Sequence, residues 1–274
     1  MYQMKTCILF GNCHCSGIRK FLEFSNFYEE YEVHQFANWE LIKDNEMAIP
    51  VHLMKNADLV IYQPLSEVYG CYSTNKKNPE SFFNILKSDC QTISFPRIHN
   101  NALFPIFRKS KSTIDIYGSF INKVDSVEEL VYKYNNNMMN YDFVNRMIKN
   151  YIVSKRKEED CDIQIADFLF SNIHKHKLFL TQDHPTSFVF NELTKRICNV
   201  LDLDYNFEKA SGADENITQL QDSVYDREDC QYPISNYAIR HFNFEYIQEE
   251  HLDSYNFYLQ HTLHYYLNHY NKNV

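Results

Sequence analysis

Side chains able to do covalent chemistry cluster first in the stretch Gly11-Asn12-Cys13-His14-Cys15-Ser16-Gly17. A cysteine thiolate attacks carbonyl carbon, and it forms most readily at a helix N-terminus, where unpaired N–H groups and the helix dipole favour negative charge. The flanking residues predict that placement for Cys13. Residues 5–10 are a short, mostly apolar run of the buried-strand type, and from Ile18 the apolar residues recur as Ile18, Phe21 and Leu22, a helical spacing. Strand, tight loop and helix put Cys13 at the tip. The chain has only five glycines, against roughly 7% in an average protein. Two of them, Gly11 and Gly17, bracket the loop, which predicts a backbone geometry that requires glycine. Cys13 is therefore read as the reactive residue. Cys7, inside the strand, reads as a small core hydrophobe, and Cys15 and the His14 side chain lean the same way.

A second position of the same kind lies far along the chain. Leu178-Phe179-Leu180-Thr181 reads as a strand ending in Gln182-Asp183-His184-Pro185-Thr186, with a long helix over Phe188, Val189, Leu193, Ile197 and Leu201. His184 would then stand at a strand end just before a helix, beside the Asp183 carboxylate. A lone histidine commonly serves structure, but this location and the neighbouring carboxylate also make His184 a candidate catalytic group.

The elements that must position these residues alternate. Further strands are expected at 31–36, 58–63 and 92–95, with helices over 49–55 and 80–87 between them. The fold class expected is α/β, a parallel sheet flanked by helices, and sites in such sheets lie at the carboxyl ends of the strands. Those ends are Gly11-Asn12-Cys13, Gln63-Pro64 and Arg97-Ile98-His99-Asn100. From about 125 to 176 the pattern turns to amphipathic helices, read as an insertion or lid within one domain spanning 1–274. Within it, the charge run Lys155 to Asp160 reads as a solvated helix face and His174 to Lys177 as exposed. The segment 205–274 reads as a helical tail, with a polar loop around Gly212 and a helix capped by Ser235. Its last helix presents His251, Tyr255, Tyr258, His261, Tyr265 and His269 as a packing face.

Bulk properties exclude several classes. A net charge of -9 argues against non-specific nucleic-acid binding. No run approaches the ~18 apolar residues of a membrane span. Eight cysteines without a secretory signal or any Cys-x-x-Cys spacing point to free thiols in a reducing cytoplasm, and to no metal centre.

Four separated segments resemble the WcbI-type polysaccharide biosynthesis acetyltransferases, bacterial capsule and surface-glycan enzymes with an SGNH-hydrolase-like α/β fold. Gly11-Asn12-Cys13 is similar to that family's opening Gly-Asn-Cys-Gln, with His14 in place of the glutamine. Gln63-Pro64, His184-Pro185-Thr186 and Tyr232-Pro233-Ile234 resemble further segments in the same order. The resemblance implies transfer of an acyl group, acetyl in the simplest case, from coenzyme A to a sugar hydroxyl, with peripheral association with a glycan assembly complex in view. Cys13 would exchange with the thioester, or His184 would activate the sugar directly, with Asp183 or a backbone group setting its tautomer. Backbone N–H groups of Cys13 and His14, with Gly11, Asn12, Gln63 and Asn100 at the strand ends, are the expected oxyanion and substrate contacts. Coenzyme A phosphates call for cations, for which Arg19, Lys20, Arg97, Arg108 and Lys109 are the expected set. Two other readings stay open: an esterase or thioesterase using the same cysteine and histidine, and a non-catalytic glycan-binding module.

Overall fold

The computed structural model describes residues 4–38, 41, 49–104, 126–215 and 234–247. The chain divides into two compact units. The first comprises Met1–Ile98, Ser154–Asp167 and Thr186–Asp226, and the second His99–Val153, Phe168–Pro185 and Arg227–Val274.

The first unit is built on four parallel strands in the order β2-β1-β3-β4: β1 (Lys5–Gly11), β2 (Tyr31–Ala37), β3 (Leu59–Tyr62) and β4 (Gln91–Ser94). Cys7 to Phe10 and Leu59 to Ile61 are wholly buried, the continuous apolar run of strands covered on both faces. Alternate residues serve opposite faces. Ile8, Phe10 and Val60 pack with Ile49, Met54, Phe82 and Phe83 in one cluster. Helices α1 (His14–Phe21), α2 (Phe27–Glu30) and α3 (Val51–Asn56) provide the connections among β1, β2 and β3. Pairing continues one residue past the ladders, with Gln63 N–H donating to Phe10 O (2.9 Å) and Phe95 N–H to Tyr62 O (2.9 Å). At the opposite end, Asp58 ties β1, β3 and β4 together. Its carboxylate accepts from Thr6 N–H (2.6 Å) and pairs with Lys87 Nζ (2.5 Å), and its carbonyl accepts from Gln91 N–H. Burial works to raise the Asp58 pKa, but the Lys87 bond and the Thr6 N–H outweigh it, so the carboxyl sits below its ordinary range.

Beyond the sheet come α4 (Val127–Asn135), α5 (Phe143–Glu158) and α6 (Ala166–Asn172), then β5 (Phe179–Thr181), β6 (His184–Pro185) and α7 (Ser187–Val200). Two short helices follow, α8 (Phe207–Glu215) and α9 (Asn236–Phe242). In the second unit Phe143, Tyr237, Phe242, His174 and Phe244 form a ring cluster, and Ser235 Oγ caps α9 by accepting from Ala238 N–H (3.1 Å).

Several local expectations change. Residues 80–87 hold only a 3-10 turn at Phe82–Asn84. Asn78 and Ser81 side chains accept from Glu80 and Phe83 N–H, diverting the backbone from a helix. Gly212 lies inside α8 rather than in a loop, and Asn206 Oδ1 starts that helix by accepting from Lys209 N–H (2.9 Å). β5 does not join the parallel sheet. A two-residue turn folds it onto β6 as an antiparallel pair with Thr181 opposite His184, so His184 stands on a return strand instead of a parallel-strand end. The charge run on α5 is not wholly solvated either. Glu158 is buried, its Oε2 accepting from Ile165 (2.7 Å) and Ala166 N–H (2.8 Å), while Lys155 Nζ approaches Oε1 at 3.0 Å. The tyrosine- and histidine-rich segment expected to form the last helix, and Tyr232-Pro233, lie outside the described residues.

Candidate active site

In the order β2-β1-β3-β4 the chain reverses direction of growth between β1 and β3, and it is outside the carboxyl ends of such a pair that α/β sheets open a crevice. β1 ends in Gly11-Asn12-Cys13. Asn12 Oδ1 accepts from His14 N–H (3.0 Å) and Asn12 O from Cys15 N–H (3.0 Å), so the side chain and carbonyl of one residue close the turn that starts α1. Cys13 is the N-cap of that helix. The His14 N–H, expected at an oxyanion, is thus committed to Asn12.

The glycines serve space rather than an unusual backbone. Among the described glycines only Gly70 has positive φ. A Cβ on Gly11 would lie 2.8 Å from Cys15 Sγ and 3.2 Å from Gln63 Cβ. One on Gly17 would lie 2.5 Å from the Phe190 ring of α7. Close approach of β1, β3, α1 and α7 is what excludes a side chain there.

His14 is fully buried against Phe190, and its Nδ1 lies 3.3 Å from Nε2 of the buried Gln63. The amide nitrogen can only donate, so Nδ1 accepts and the neutral ring carries its proton on Nε2. This histidine therefore fastens α1 to the end of β3. Of the three neighbouring thiols, Cys7 and Cys15 are wholly buried, and burial pushes both pKa values far up. Cys13 alone is half-buried.

Around these strand ends opens a cleft of about 1030 Å³, lined among others by Asn12, Asn38, Gln63, Tyr69, Arg97 and Lys157. Its volume is at the upper end of the ~300–1,000 Å³ usual for small-molecule sites. Arg97 and Lys157 bring positive charge, and Asp160 of the same segment also lines it. Lys157 is held there because the chain after α5 is fastened to β4: Asp162 Oδ2 accepts from Ser94 N–H (2.7 Å) and Oγ (2.6 Å), and Ile163 N–H donates to Ser94 O (3.0 Å).

The structure thus brings together Gly11, Asn12, His14 and Gln63, with Cys13 beside them and Arg97 on the same cleft. Arg19 and Lys20 stand in the last turn of α1, some ~9 Å along the axis from Cys13, and neither lines the cleft. Arg108 and Lys109 lie outside the described residues. Asn100, Asp183 and His184 belong to the second unit. Asn100 is buried, accepts from Ala102 and Leu103 N–H, and donates its own N–H to Gln182 O (2.8 Å). Asp183 Oδ1 lies 2.7 Å from Nδ1 of His99. Lys157, Asn38 and His99 received no role from the sequence. A charge run hides Lys157, and nothing in the order of residues ties His99 to a carboxylate 84 positions on. Among the described residues no group of three or more His, Cys, Asp or Glu could hold a metal ion, none of the cysteines is in a disulfide, and no helix is long and apolar enough to cross a membrane.

The fold has a solved counterpart. WcbI, described as a novel polysaccharide biosynthesis enzyme in its native form without a disulfide bond between coenzyme A and one of its cysteines, superposes with a TM-score of 0.58 at 18% identity. The match covers 94% of this chain and 95% of that one. No curated protein matches the sequence. The family model for the polysaccharide biosynthesis enzyme WcbI matches residues 6–206, which takes in β1 through α7 and with them the Asn12 turn, Gln63 and the whole cleft. The chain belongs to the WcbI family of polysaccharide biosynthesis enzymes.

Proposed function

We propose that this protein transfers an acyl group, acetyl in the simplest case, from coenzyme A to a sugar hydroxyl during capsule or surface-polysaccharide biosynthesis in the cytoplasm. The observation that carries the proposal is the Asn12-closed turn, which caps α1 with the half-buried Cys13 at the carboxyl end of β1, next to a cleft that holds Arg97 and Lys157. The related WcbI structure, described by reference to coenzyme A and a cysteine, supports the choice of donor.

The residues fit such a donor. Arg97 and Lys157 offer charge-assisted hydrogen bonds to its phosphates. The mixed lining of amides and tyrosines suits a long, mostly polar molecule. Bound coenzyme A supplies the activated thioester. In this reading Cys13 sulfur accepts the acyl group, one thioester replacing another, the coenzyme A thiolate leaves and takes up the thiol proton, and His184 with Asp183, in the second unit, is the proposed general base. The Cys13 N–H and the Asn12 side-chain amide stabilise negative charge on the acyl oxygen, the His14 N–H and the Gln63 amide being held by Asn12 and His14. In this reading the order β2-β1-β3-β4 is the SGNH-hydrolase-like arrangement, and the helices within 125–176 are an insertion or lid.

Radiolabelled acetyl-CoA, offered with and without sugar acceptors, tests the proposal. Acceptor-dependent label transfer supports it. Free acetate without acceptor assigns an esterase or thioesterase, and neither outcome assigns a glycan-binding module. Cys13→Ala is expected to abolish transfer, by at least ~10³-fold, with an unchanged melting temperature, since alanine tolerates the N-cap's helical backbone. Full activity in that variant removes Cys13 from the reaction.

A further inference from the structure

Two carboxamide side chains of the first unit, Asn12 and Gln63, line the cleft, and they are held by opposite ends. Asn12 Oδ1 accepts from the His14 N–H (3.0 Å), so nitrogen is the end it keeps for a ligand. Gln63 is reversed. Its Nε2 lies 3.3 Å from His14 Nδ1 and donates to it, which leaves the carbonyl Oε1 as the end kept for a ligand. The β1 side of the crevice thus offers a donor and the β3 side an acceptor. A carbonyl oxygen repels a developing oxyanion, so Gln63 suits a ligand N–H or O–H instead.

Packing around the pair fixes that polarity. His14 is wholly buried, with the Phe190 ring of α7 edge-on at 6.1 Å. Burial disfavours a charged imidazole, and a neutral ring that accepts at Nδ1 carries its proton on Nε2. Gln63 is only 4% exposed. Its backbone N–H donates to Phe10 O (2.9 Å), and its Cβ sits 3.2 Å from where a Cβ on Gly11 would stand. Turning the amide over would set Oε1 against the Nδ1 lone pair. That exchange replaces a buried hydrogen bond by a repulsion between two acceptors.

We propose that Gln63 Oε1 is the acceptor in the cleft for a ligand N–H or O–H, with His14 as its positioning residue; this rests on the acyl-transfer reading for the ligands concerned. Both of those ligands carry such a donor, coenzyme A in the amides of its pantetheine arm and the sugar in its hydroxyls. Selectivity follows from the end of the amide that is presented. A group that offers only acceptors at this point, such as a carboxylate or a phosphate, leaves Oε1 facing negative charge and is disfavoured. Phosphates are thereby directed to Arg97 and Lys157 of the same cleft.

The test compares two changes at His14 in the full-length chain, each on protein shown to be folded by circular dichroism. His14→Phe keeps a ring against Phe190 but removes the acceptor, whereas His14→Asn gives up the ring but sets an Oδ1 in the place of Nδ1. Gln63→Met removes both ends of the amide at similar length. Two readouts locate the ligand donor: coenzyme A affinity by calorimetry, and the KM of the sugar that takes up label in the transfer assay at saturating acetyl-CoA. At least one of them should weaken about 5- to 100-fold in His14→Phe and in Gln63→Met, the cost of a ligand donor left unpaired, while His14→Asn stays within about threefold. The doubly substituted His14→Phe, Gln63→Met form should be no worse than Gln63→Met alone, since one change acts through the other. Nitrogen-15 NMR of the wild-type imidazoles should show His14 protonated on Nε2. The inference is overturned by changes under about threefold in both readouts, by His14→Asn losing as much as His14→Phe, by multiplicative losses, or by a proton on Nδ1. A wild-type protein that neither binds coenzyme A nor transfers label sinks the acyl-transfer reading instead, and the NMR tautomer then still decides which end of the Gln63 amide is left for a ligand.

Discussion

Three thiols within nine residues meet three environments. Cys7 faces the interior from β1, Cys15 packs under α1 against the position of Gly11, and Cys13 stands half-exposed at the helix start. Since the thiolate is the nucleophile, and burial holds Cys7 and Cys15 protonated far above neutral pH, the three should separate kinetically. Iodoacetamide at neutral pH is expected to label Cys13 at least ~10²-fold faster than either neighbour, as read by peptide mass spectrometry. Labelling of Cys15 at a comparable rate would mean that the helix start opens. His14 shows the same dependence on surroundings. By residue type it is a catalytic candidate, yet full burial and the bond to Gln63 make it a brace between α1 and β3.

The first helix depends on another element for its seat. Gly17 lets α1 approach α7 so closely that any Cβ would strike the Phe190 ring. Gly17→Ala removes a helix-weakening glycine, worth up to ~1 kcal/mol in an open helix, but inserts a methyl group where none fits, at a cost of roughly 1–3 kcal/mol. The clash should win. Gly17→Ala is expected to lower stability by about 1–2 kcal/mol net in denaturant titrations, and Phe190→Leu should be less damaging in that background than in wild type. Additive losses would show that the two helices adjust independently. A comparable dependence holds at α6, whose first N–H groups are satisfied by Glu158 at the end of α5. A residue that reads as part of a charged surface run is in fact an internal cap.

At the scale of the molecule, what matters is that one parallel sheet gathers loops distant in sequence. The ends of β1, β3 and β4, together with the segment after α5, place Asn12, Gln63, Arg97 and Lys157 on a common cleft. If that cleft takes the phosphates of coenzyme A, Arg97→Glu and Lys157→Glu should each weaken its binding about 10- to 100-fold, the range for a charged hydrogen bond of ~1.5–3 kcal/mol. Added salt should narrow the difference between these variants and wild type. Arg19→Glu and Lys20→Glu, at the other end of α1, should change affinity by less than about threefold. The reverse ranking, measured by calorimetry, would move the phosphates away from β4.

Sequence alone determined the parts whose signals are local. Apolar runs at 5–10 and 58–63, with the alternating stretch at 31–36 and the short one at 92–95, spaced by helical stretches, pointed to the parallel sheet, because a strand buried on both faces, as β1 and β3 are, is apolar throughout. Gly11-Asn12-Cys13 announced the turn, because a strand that meets a helix over two residues needs a small, self-bonding connector. Ser235 announced its cap for the same local reason. Tertiary structure decided everything that depends on what lies opposite. It showed that Gly11 and Gly17 serve packing and not backbone angle, that Lys157 faces a cleft, that β5 pairs with β6 outside the parallel sheet, and that Asp183 meets His99. Spacing along a chain encodes periodicity and turns, whereas a side chain's proton, charge and room are set by neighbours brought from elsewhere by folding.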